Sequence, residues 1–578
     1  MNFTHVSLLA GALTLSATAF ASATPPSTGD LVVSRTLYTG DSNTVKVGDV
    51  LPGGAGKKAV ANGTYPRVWA NEAQDASFGV TSPIILDRST VWGDSLVLRD
   101  TFAVPVSKAV TSFPSKSEMA LNLSTDGRKV TFMGYVAPVN ALDVSNSNTP
   151  NHVDSTNPVK LNFARAVLQF EAAGKTDSVM VTPVNTYSGN NGRAAILDAS
   201  GNQYFLVGNA GNGGSPEPVS VVSNTGVQVV TPGAGPETQV VGVLNGTPGA
   251  ANGFQYGFSV ASLGLAADKS GKDDNFRAVT IHNGTLYATK GSGGNGVNTL
   301  YQVGKLGALP TAATASTTAF SIPRGFSTTL AKSTTDVIYN PFGMFFASDS
   351  ILYLADEGDG ARGNAVANVN SGLEKWVLGS DSIWRNVYTL KNGLNLGTKF
   401  AVPGMVDSLL PANDGLRTLT GRLNGNGTVT VWAVTSTVST AVDQGADPNQ
   451  LVVVTDSLAS RTLPVSESFK VLKTAAYGEA LRGVVFVPAA STTGIEARNT
   501  FHPDLGMRLA GKALSFQLAD AVDAHLEVLD MSGRVLESRD LGLLAAGAHT
   551  VSVSRVHGVQ VLRLMAGATR QTLVTTGF

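Results

Sequence analysis

Short apolar or alternating runs recur along the whole chain, cut apart by clusters of Gly, Asn, Asp and Pro. Asp30–Tyr38, Leu96–Val104, Lys129–Val136, Ser178–Val184, Val219–Val222, Val227–Val230, Leu451–Asp456 and Leu481–Pro488 are examples. Their length and β-branched content suit strands, because a branched side chain packs well on a pleated surface. Helical periodicity is nearly absent outside the first twenty-odd residues, where an apolar run from Val6 to Phe20 ends in Ala21-Ser22-Ala23. Small residues at those positions suit a signal peptidase, and Thr24-Pro25-Pro26 cannot continue a helix. Residues 1–23 are therefore expected to be a signal peptide. No later run is long enough and apolar enough to cross a bilayer as a helix, so no transmembrane segment is expected in the mature chain.

A longer repeat lies over the strand pattern. Gly192-Arg193-Ala194-Ala195-Ile196, Phe276-Arg277-Ala278-Val279, Leu416-Arg417-Thr418-Leu419 and Leu481-Arg482-Gly483-Val484 each open an apolar strand after a polar loop. In the first three, a turn (Gly201-Asn202, Asn283-Gly284, Asn426-Gly427) leads to a second strand bearing Tyr204, Tyr287 or Trp432. Asn-Gly is a strong hairpin signal because both central positions take positive φ. Phe342–Phe346 followed by Leu352-Tyr353-Leu354 fits the same frame, and Ala120–Leu123 with Val130–Tyr135 is a looser copy. Units near 118, 193, 277, 343, 417 and 482 are spaced by about 65 to 85 residues, room for a four-stranded propeller blade with long loops. The last unit is cut short after Leu481–Pro488, whereas the region from Asp30 to Val104 has strands and no opening motif. Pairing the late strand with the early ones completes a shared sheet and removes exposed edges. The fold class expected is all-β: a closed β-propeller over 24–488, with six blades favoured over seven, and a β-solenoid as the rival architecture. A linker, 489–500, then leads to a small Ig-like β-sandwich over 501–578.

From about Asp30 to Pro488 the chain resembles a family of secreted bacterial β-propeller-like proteins without assigned activity. The resemblance rests on Leu123–Arg128 with Gly134-Tyr135, Phe276–Thr289, Leu352–Gly358 with Gly372–Trp376, and Leu481–Pro488. It implies fold and export and leaves chemistry open. The last region resembles the C-terminal sorting domain of type IX secretion substrates. The matching residues are Val528–Val535, Leu544–His549, Val559–Leu564 and the terminal strand Arg570–Thr575. That resemblance implies a partner, the type IX secretion machinery, and a location that is secreted or on the outer cell surface.

Composition narrows the chemistry. Charged residues make up 14% of the 578 and the net charge is −1, so no global field would draw nucleic acid or an anionic membrane. No cysteine is present, which removes disulfides, thiolate nucleophiles and Cys-ligated zinc. Seven histidines leave only His152 and His282 within the repeat region for a Ser-His-Asp triad, and both are expected at the surface. Gly291–Gly296 matches G-x-G-x-x-G, yet Thr299–Val303 after it reads as a strand, where a dinucleotide site needs a helix N-terminus. A loop is expected there.

Three sets of residues remain as candidates. Arg193, Arg277, Arg417 and Arg482 recur at the strand starts and would ring one mouth of the propeller. There they either bind an anionic ligand bidentately or pair with acids such as Asp274, Asp414 or Glu479 to lock blade to blade. Asp356, Glu357 and Asp359 lie in an acidic glycine loop, read either as a solvated turn or as a calcium site; no other cofactor is implied. Asp443–Asp447 is a weaker case of the same kind. Trp376, Trp384 and Trp432 are expected in the core rather than on a sugar-stacking platform. No residue is assigned a catalytic role. The functional expectation is a secreted or surface non-catalytic propeller that binds a polysaccharide or protein ligand. The alternative is a polymer-degrading hydrolase or lyase using Asp/Glu acid–base chemistry in a propeller cleft.

Overall fold

The computed structural model describes residues 29–38, 79–92, 95–113, 115–173, 178–214, 217–233, 239–241, 273–404, 410–439, 447–489, 505–518, 520–530, 534–554, 559–567 and 569–576, with residues 44, 46, 48–50 and 445. The expected signal peptide, nearly all of the expected linker, and Asp443 lie outside the described residues. The chain divides near residue 490 into two compact units.

Among the described residues, the first unit contains six four-stranded antiparallel sheets. Sheet one is ordered Glu479–Pro488, Gly29–Leu37, Ile84–Trp92, Ser95–Ala103. Sheet two is Asn122–Leu123, Lys129–Val136, Ala164–Glu171, Met180–Val184, and sheet three is Gly192–Leu197, Tyr204–Gly208, Gly226–Val230, Gln239–Val241. Sheet four is Phe276–His282, Thr285–Lys290, Thr299–Val303, Phe320–Ser321. Sheet five is Pro341–Ser348, Ile351–Asp356, Gly372–Leu378, Trp384–Leu390, and sheet six is Ala412–Asn424, Thr428–Val438, Gln450–Ser457, Lys470–Thr474. Every opening motif read from the sequence falls at or beside the first strand of a sheet. The late strand pairs antiparallel with the earliest one, Gly29 opposite Pro488 and Leu37 opposite Glu479, as the truncated last unit requires.

Neighbouring sheets touch where the first or second strand of one meets the leading strand of the next, or the residues just before it. The Thr131 hydroxyl donates to Ala195 O, Thr289 to Phe342 O and Thr418 to Arg482 O, while the Ser34 hydroxyl donates to Met119 O. These bonds use the lone pairs of strand carbonyls that the ladders leave free. The approach is close enough that side chains would obstruct it. A Cβ on Gly343 would lie 2.6 Å from Arg417 O, and one on Gly483 only 2.2 Å from Met119 O. Apolar side chains from each pair of neighbours fill the space between sheets; Tyr353, Leu373, Val431 and Val452, from sheets five and six, share one such core.

The outer strand Ser95–Ala103 is largely exposed, with Val97 and Leu98 facing solvent. Its register shifts opposite Arg88–Ser89, and Arg99 and Asp100 sit at that irregularity. A bulge with charges guards an edge that would otherwise recruit another strand.

One expected strand is corrected. Val219–Val222 forms a single helical turn, with Ser223 N and Asn224 N returning bonds to Val219 O and Val221 O. Pro218 precedes it at φ −59°, lacks an N–H for any ladder, and suits the entry to a helix. Val221 and Val222 are buried by that turn, so tertiary packing overrides the β preference of valine. Gly291–Gly296 is a loop, as expected, and Trp376, Trp384 and Trp432 are buried.

Among the described residues, the second unit holds a three-stranded sheet (Arg508–Ala510, Ala513–Leu518, Gly547–Ser552) and a four-stranded one (Val535–Leu544, Val522–Asp530, Val559–Ala566, Thr569–Thr576). Both contribute to one apolar core that includes Leu514, Phe516, Leu526, Val528, Leu562 and Leu564.

Candidate functional site

The leading strands bring charged residues from several sheets to one cluster, with Glu357 at its hub. Glu357 follows Ile351–Asp356 directly, so alternation along the strand turns it away from the face that holds Asp356. Its Oε2 accepts from Arg417 Nε at 3.1 Å and lies 3.6 Å from Lys116 Nζ; its Oε1 lies 4.0 Å from Arg277 Nη2. One buried carboxylate thus meets cations from sheet four, sheet six and the segment leading into sheet two. Its backbone is pinned as well, since Ser436 Oγ donates to Glu357 O at 2.6 Å.

The other recurrent arginines are also buried. Arg193 donates to Phe276 O at 3.0 Å and to Asn275 Oδ1. Arg277 donates to the Ser117 and Ser292 hydroxyls, and its guanidinium lies 5.7 Å from the Phe342 ring. Arg482 is 3% exposed and offers its carbonyl to Thr418. Glu479, expected among the acids that pair with these arginines, accepts from Arg35 at 2.6 Å; Arg35 also grips Asp87 at 2.8 Å. Lys290 stands near Arg193 and Arg277, donating to Ser292 O at 2.9 Å and Asn298 Oδ1 at 2.7 Å. Burial, then repulsion from Arg277, brings its ammonium down to about 7.

The three residues of the acidic loop have separate partners. Asp356 accepts from Asn340 N at 2.7 Å and Gly358 N at 2.9 Å. Asp359 accepts from Ala361 N and from Asn364 Nδ2. Glu357 belongs to the cationic hub. Among the described residues no three His, Asp or Glu side chains gather to hold a metal ion.

Asp356 has a different neighbour, one the sequence did not single out. In sheet five Leu354 pairs with Glu374 and Asp356 with Gly372, which puts Asp356 and Glu374 on one face. Both are 1% exposed. Burial raises the Asp356 carboxyl to about 6, against backbone N–H bonds that favour its charge. Burial and the nearby Asp356 push Glu374 well above the ordinary carboxylate range. Trp376 Nε1 donates to Glu374 Oε2 at 2.7 Å, whereas Glu374 Oε1 is buried without a hydrogen-bond partner. The charge of Glu357 adds to the rise of Asp356, while Tyr339 and Lys391, both half-buried, are further titratable groups that feel the pair.

One further polar cluster escaped the sequence reading. Arg165 is fully buried and donates to the carbonyls of Ser145, Ser147, Phe163, Tyr187 and Asn190. Its neighbour Tyr135 lies under the guanidinium at 5.2 Å and donates to Glu118, which also accepts from Thr111 and Asn191. Such a network fastens loops to a sheet. His282 stacks on Phe346 at 4.4 Å and bonds Asp349 at 2.8 Å, while His152 Nδ1 meets Ser220 O at 2.7 Å.

Fold and site together define an all-β protein of repeated four-stranded antiparallel sheets with a buried, charged centre. No family model matches the chain, and no curated protein is significantly similar to it. Among solved structures it is similar to a periplasmic gluconolactonase of Pseudomonas aeruginosa, at 12% identity over 83% of this chain and 98% of that chain, with a TM-score of 0.31. It is also similar to a mutant of Trypanosoma rangeli sialidase displaying trans-sialidase activity (10% identity, 94% of this chain, 89% of that chain, TM-score 0.29). A third is a Bacteroides thetaiotaomicron protein of unknown function (12%, 72%, 92%, TM-score 0.27). Likenesses this distant define neither fold nor chemistry, which rest here on the sheets and side chains themselves.

Proposed function

We propose that the first unit is a six-bladed β-propeller, closed by the pairing of Gly29–Leu37 with Glu479–Pro488, and that it acts outside the cell as a non-catalytic binding or surface component. The second unit, an Ig-like sandwich on this reading, is the type IX sorting signal that takes it there. The observation that carries the non-catalytic reading is the sharing of Glu357 by Lys116, Arg277 and Arg417. A buried acid held among three cations fastens elements together: Arg417 Nε donates to it, and the Lys116 and Arg277 nitrogens lie within ion-pair range of it. Arg193 and Arg277 are likewise bonded to a carbonyl, an amide and hydroxyls of the chain itself. On this reading the ligand, a polysaccharide or a surface protein, is met by the loops.

The test is a polysaccharide and glycan-array screen of the full chain, read in parallel for binding and for release of new chain ends. Retention without cleavage is expected. Cleavage of any bound polymer would overturn the reading.

One observation favours the hydrolase or lyase alternative. Asp356 and Glu374 are two buried carboxyls with raised proton affinities, and such pairs divide into acid and base roles at active sites. If cleavage is found, Glu374→Gln abolishes it; cleavage that survives this substitution excludes the pair.

A further inference from the structure

Lys375 of sheet five and Asp456 of sheet six meet in an ion pair whose two side chains are wholly buried. Lys375 lies on Gly372–Leu378 in register with Tyr353 on one neighbouring strand and Tyr388 on the other. Its Nζ sits 5.7 and 5.2 Å from the centres of their rings. Asp456 lies on Gln450–Ser457 opposite the buried Val429. Both tyrosines, Val429, Val454 and Phe469 belong to the apolar core between these two sheets. An amine and a carboxyl are thus fixed against each other where water is excluded.

The hydrogen bonds around the pair have a definite direction. Nζ reaches Asp456 Oδ2 at 2.9 Å, the Tyr388 hydroxyl at 2.9 Å and Ser457 O at 2.5 Å. The Tyr388 hydroxyl in turn donates to Asp456 Oδ1 at 2.7 Å, and the Tyr353 hydroxyl donates to Oδ2. Tyr388 therefore bridges Nζ and Oδ1, the path a proton needs between them. Tyr353 stands ready to stabilise negative charge on Oδ2. Burial lowers the Lys375 ammonium, which eases loss of its proton. Burial alone would raise the Asp456 carboxyl, yet bonds such as those from Tyr353 and Tyr388 hold it below its ordinary range, so the resting state is an ion pair. Two charges in a dry core are costly, and a reaction that consumes both relieves that cost.

We propose that Lys375 and Asp456 condense into an isopeptide bond that ties sheet five to sheet six. One Nζ proton passes through Tyr388 to Oδ1, leaving a neutral amine beside a neutral acid. The Nζ lone pair then attacks Cγ; the Nζ–Cγ bond forms and the carbonyl electron pair moves onto Oδ2, where Tyr353 donates. A second Nζ proton follows the same route to Oδ1. The Cγ–Oδ1 bond breaks, its electron pair leaves with Oδ1 as water, and the Cγ–Oδ2 double bond is restored. The third proton stays on the amide nitrogen. No external oxidant or co-reactant is required, and fixed contact between amine and acid replaces an encounter between free reactants. The amide that results keeps its partners: its N–H faces Ser457 O and its carbonyl oxygen accepts from Tyr353. A chain without cysteine gains in this way a covalent tie that no disulfide can give it.

The test is mass spectrometry of the full chain, denatured and digested with trypsin. An unjoined chain releases 363–375, 376–385 and 423–461, since trypsin cuts after Arg362, Lys375, Arg385, Arg422 and Arg461. The expected product is 363–385, uncut at Lys375 because its amine is acylated, joined to 423–461 and lighter by one water than the two peptides together. Asp456→Ala, which removes the acid, returns the ordinary peptides. Tyr388→Phe keeps amine and acid but loses the relay, and most of that chain is expected to stay unjoined. The wild-type digest needs no variant, so a substitution that fails to fold leaves its result intact. Wild type that yields only free 363–375, or that loses water without giving the joined pair, would overturn the bond; complete joining in Tyr388→Phe would overturn the relay.

Discussion

Asp356 and Glu357 are consecutive residues with opposite surroundings. Glu357 turns toward three cations contributed by sheet four, sheet six and the segment leading into sheet two. Asp356 turns into a dry face shared with Glu374 and Trp376, where the half-buried Lys391 is the cation whose charge reaches both acids. The alternation of a β-strand is enough to separate a matched charge from a poorly matched one by a single position. The first arrangement holds sheets together; the second stores protons.

Removing the matched acid is expected to do the most damage. Glu357→Gln strips the carboxylate from Arg277, Arg417 and Lys116 and should cost about 3–5 kcal/mol, as does breaking a buried ion pair from one side, read as a lower denaturant midpoint. An unchanged midpoint would mean the hub is not a fastening. Next comes the close approach of leading strands. Gly483→Ala places a Cβ against backbone at Met119 O and Leu121 N, and should cost about 1–3 kcal/mol through overpacking.

The poorly matched pair should show itself in pH dependence. A carboxyl whose proton affinity is raised by folding contributes stability that is complete below its unfolded pKa and is lost as pH rises through the folded value. Wild type should therefore lose stability as pH climbs through about 6, where Asp356 ionises, with a further loss at higher pH from Glu374. Glu374→Gln should remove the later loss and leave the earlier one; a profile identical to wild type would show that Glu374 is not carrying a proton. The smallest effect belongs to the exposed Asp381–Arg385 pair at 2.5 Å, where Arg385→Ala should leave the unfolding midpoint within error.

The sheets were legible because their signals are local. An arginine before an apolar run, an Asn-Gly turn and an aromatic second strand lie within one unit, so a single sequence exposes six strand starts. Asn283 and Gly284 take φ of 47° and 70°, the left-handed pair the turn demands. The arginine cluster was legible in outline, and Asp273 and Asp274 act on Lys290 together with Arg193 and Arg277. Glu357 was named for its acidic loop, and it reaches Arg277 and Lys116 only through the fold. Glu374 was invisible for a related reason: one acid in the apolar strand Gly372–Leu378 reads as a solvent-facing residue until the neighbouring sheet covers it. Arg165 and Glu118 carry no motif, and the partners they bind lie far along the chain, as Asn191 does from Glu118.

Sheet one has a consequence for how the chain is born. Ser34 and Gly483, bonded to each other, are 449 residues apart. Synthesis delivers the amino end first, so Gly29–Leu37 must wait for almost the whole first unit before its partner strand arrives. During that interval one of its edges is open to any extended segment nearby, whether from a second nascent copy or from a later strand of the same chain. A stall or cleavage shortly before residue 479 would leave five sheets able to form and the sixth incomplete, which makes the order of arrival, rather than the strength of any one contact, the vulnerable step in reaching this architecture.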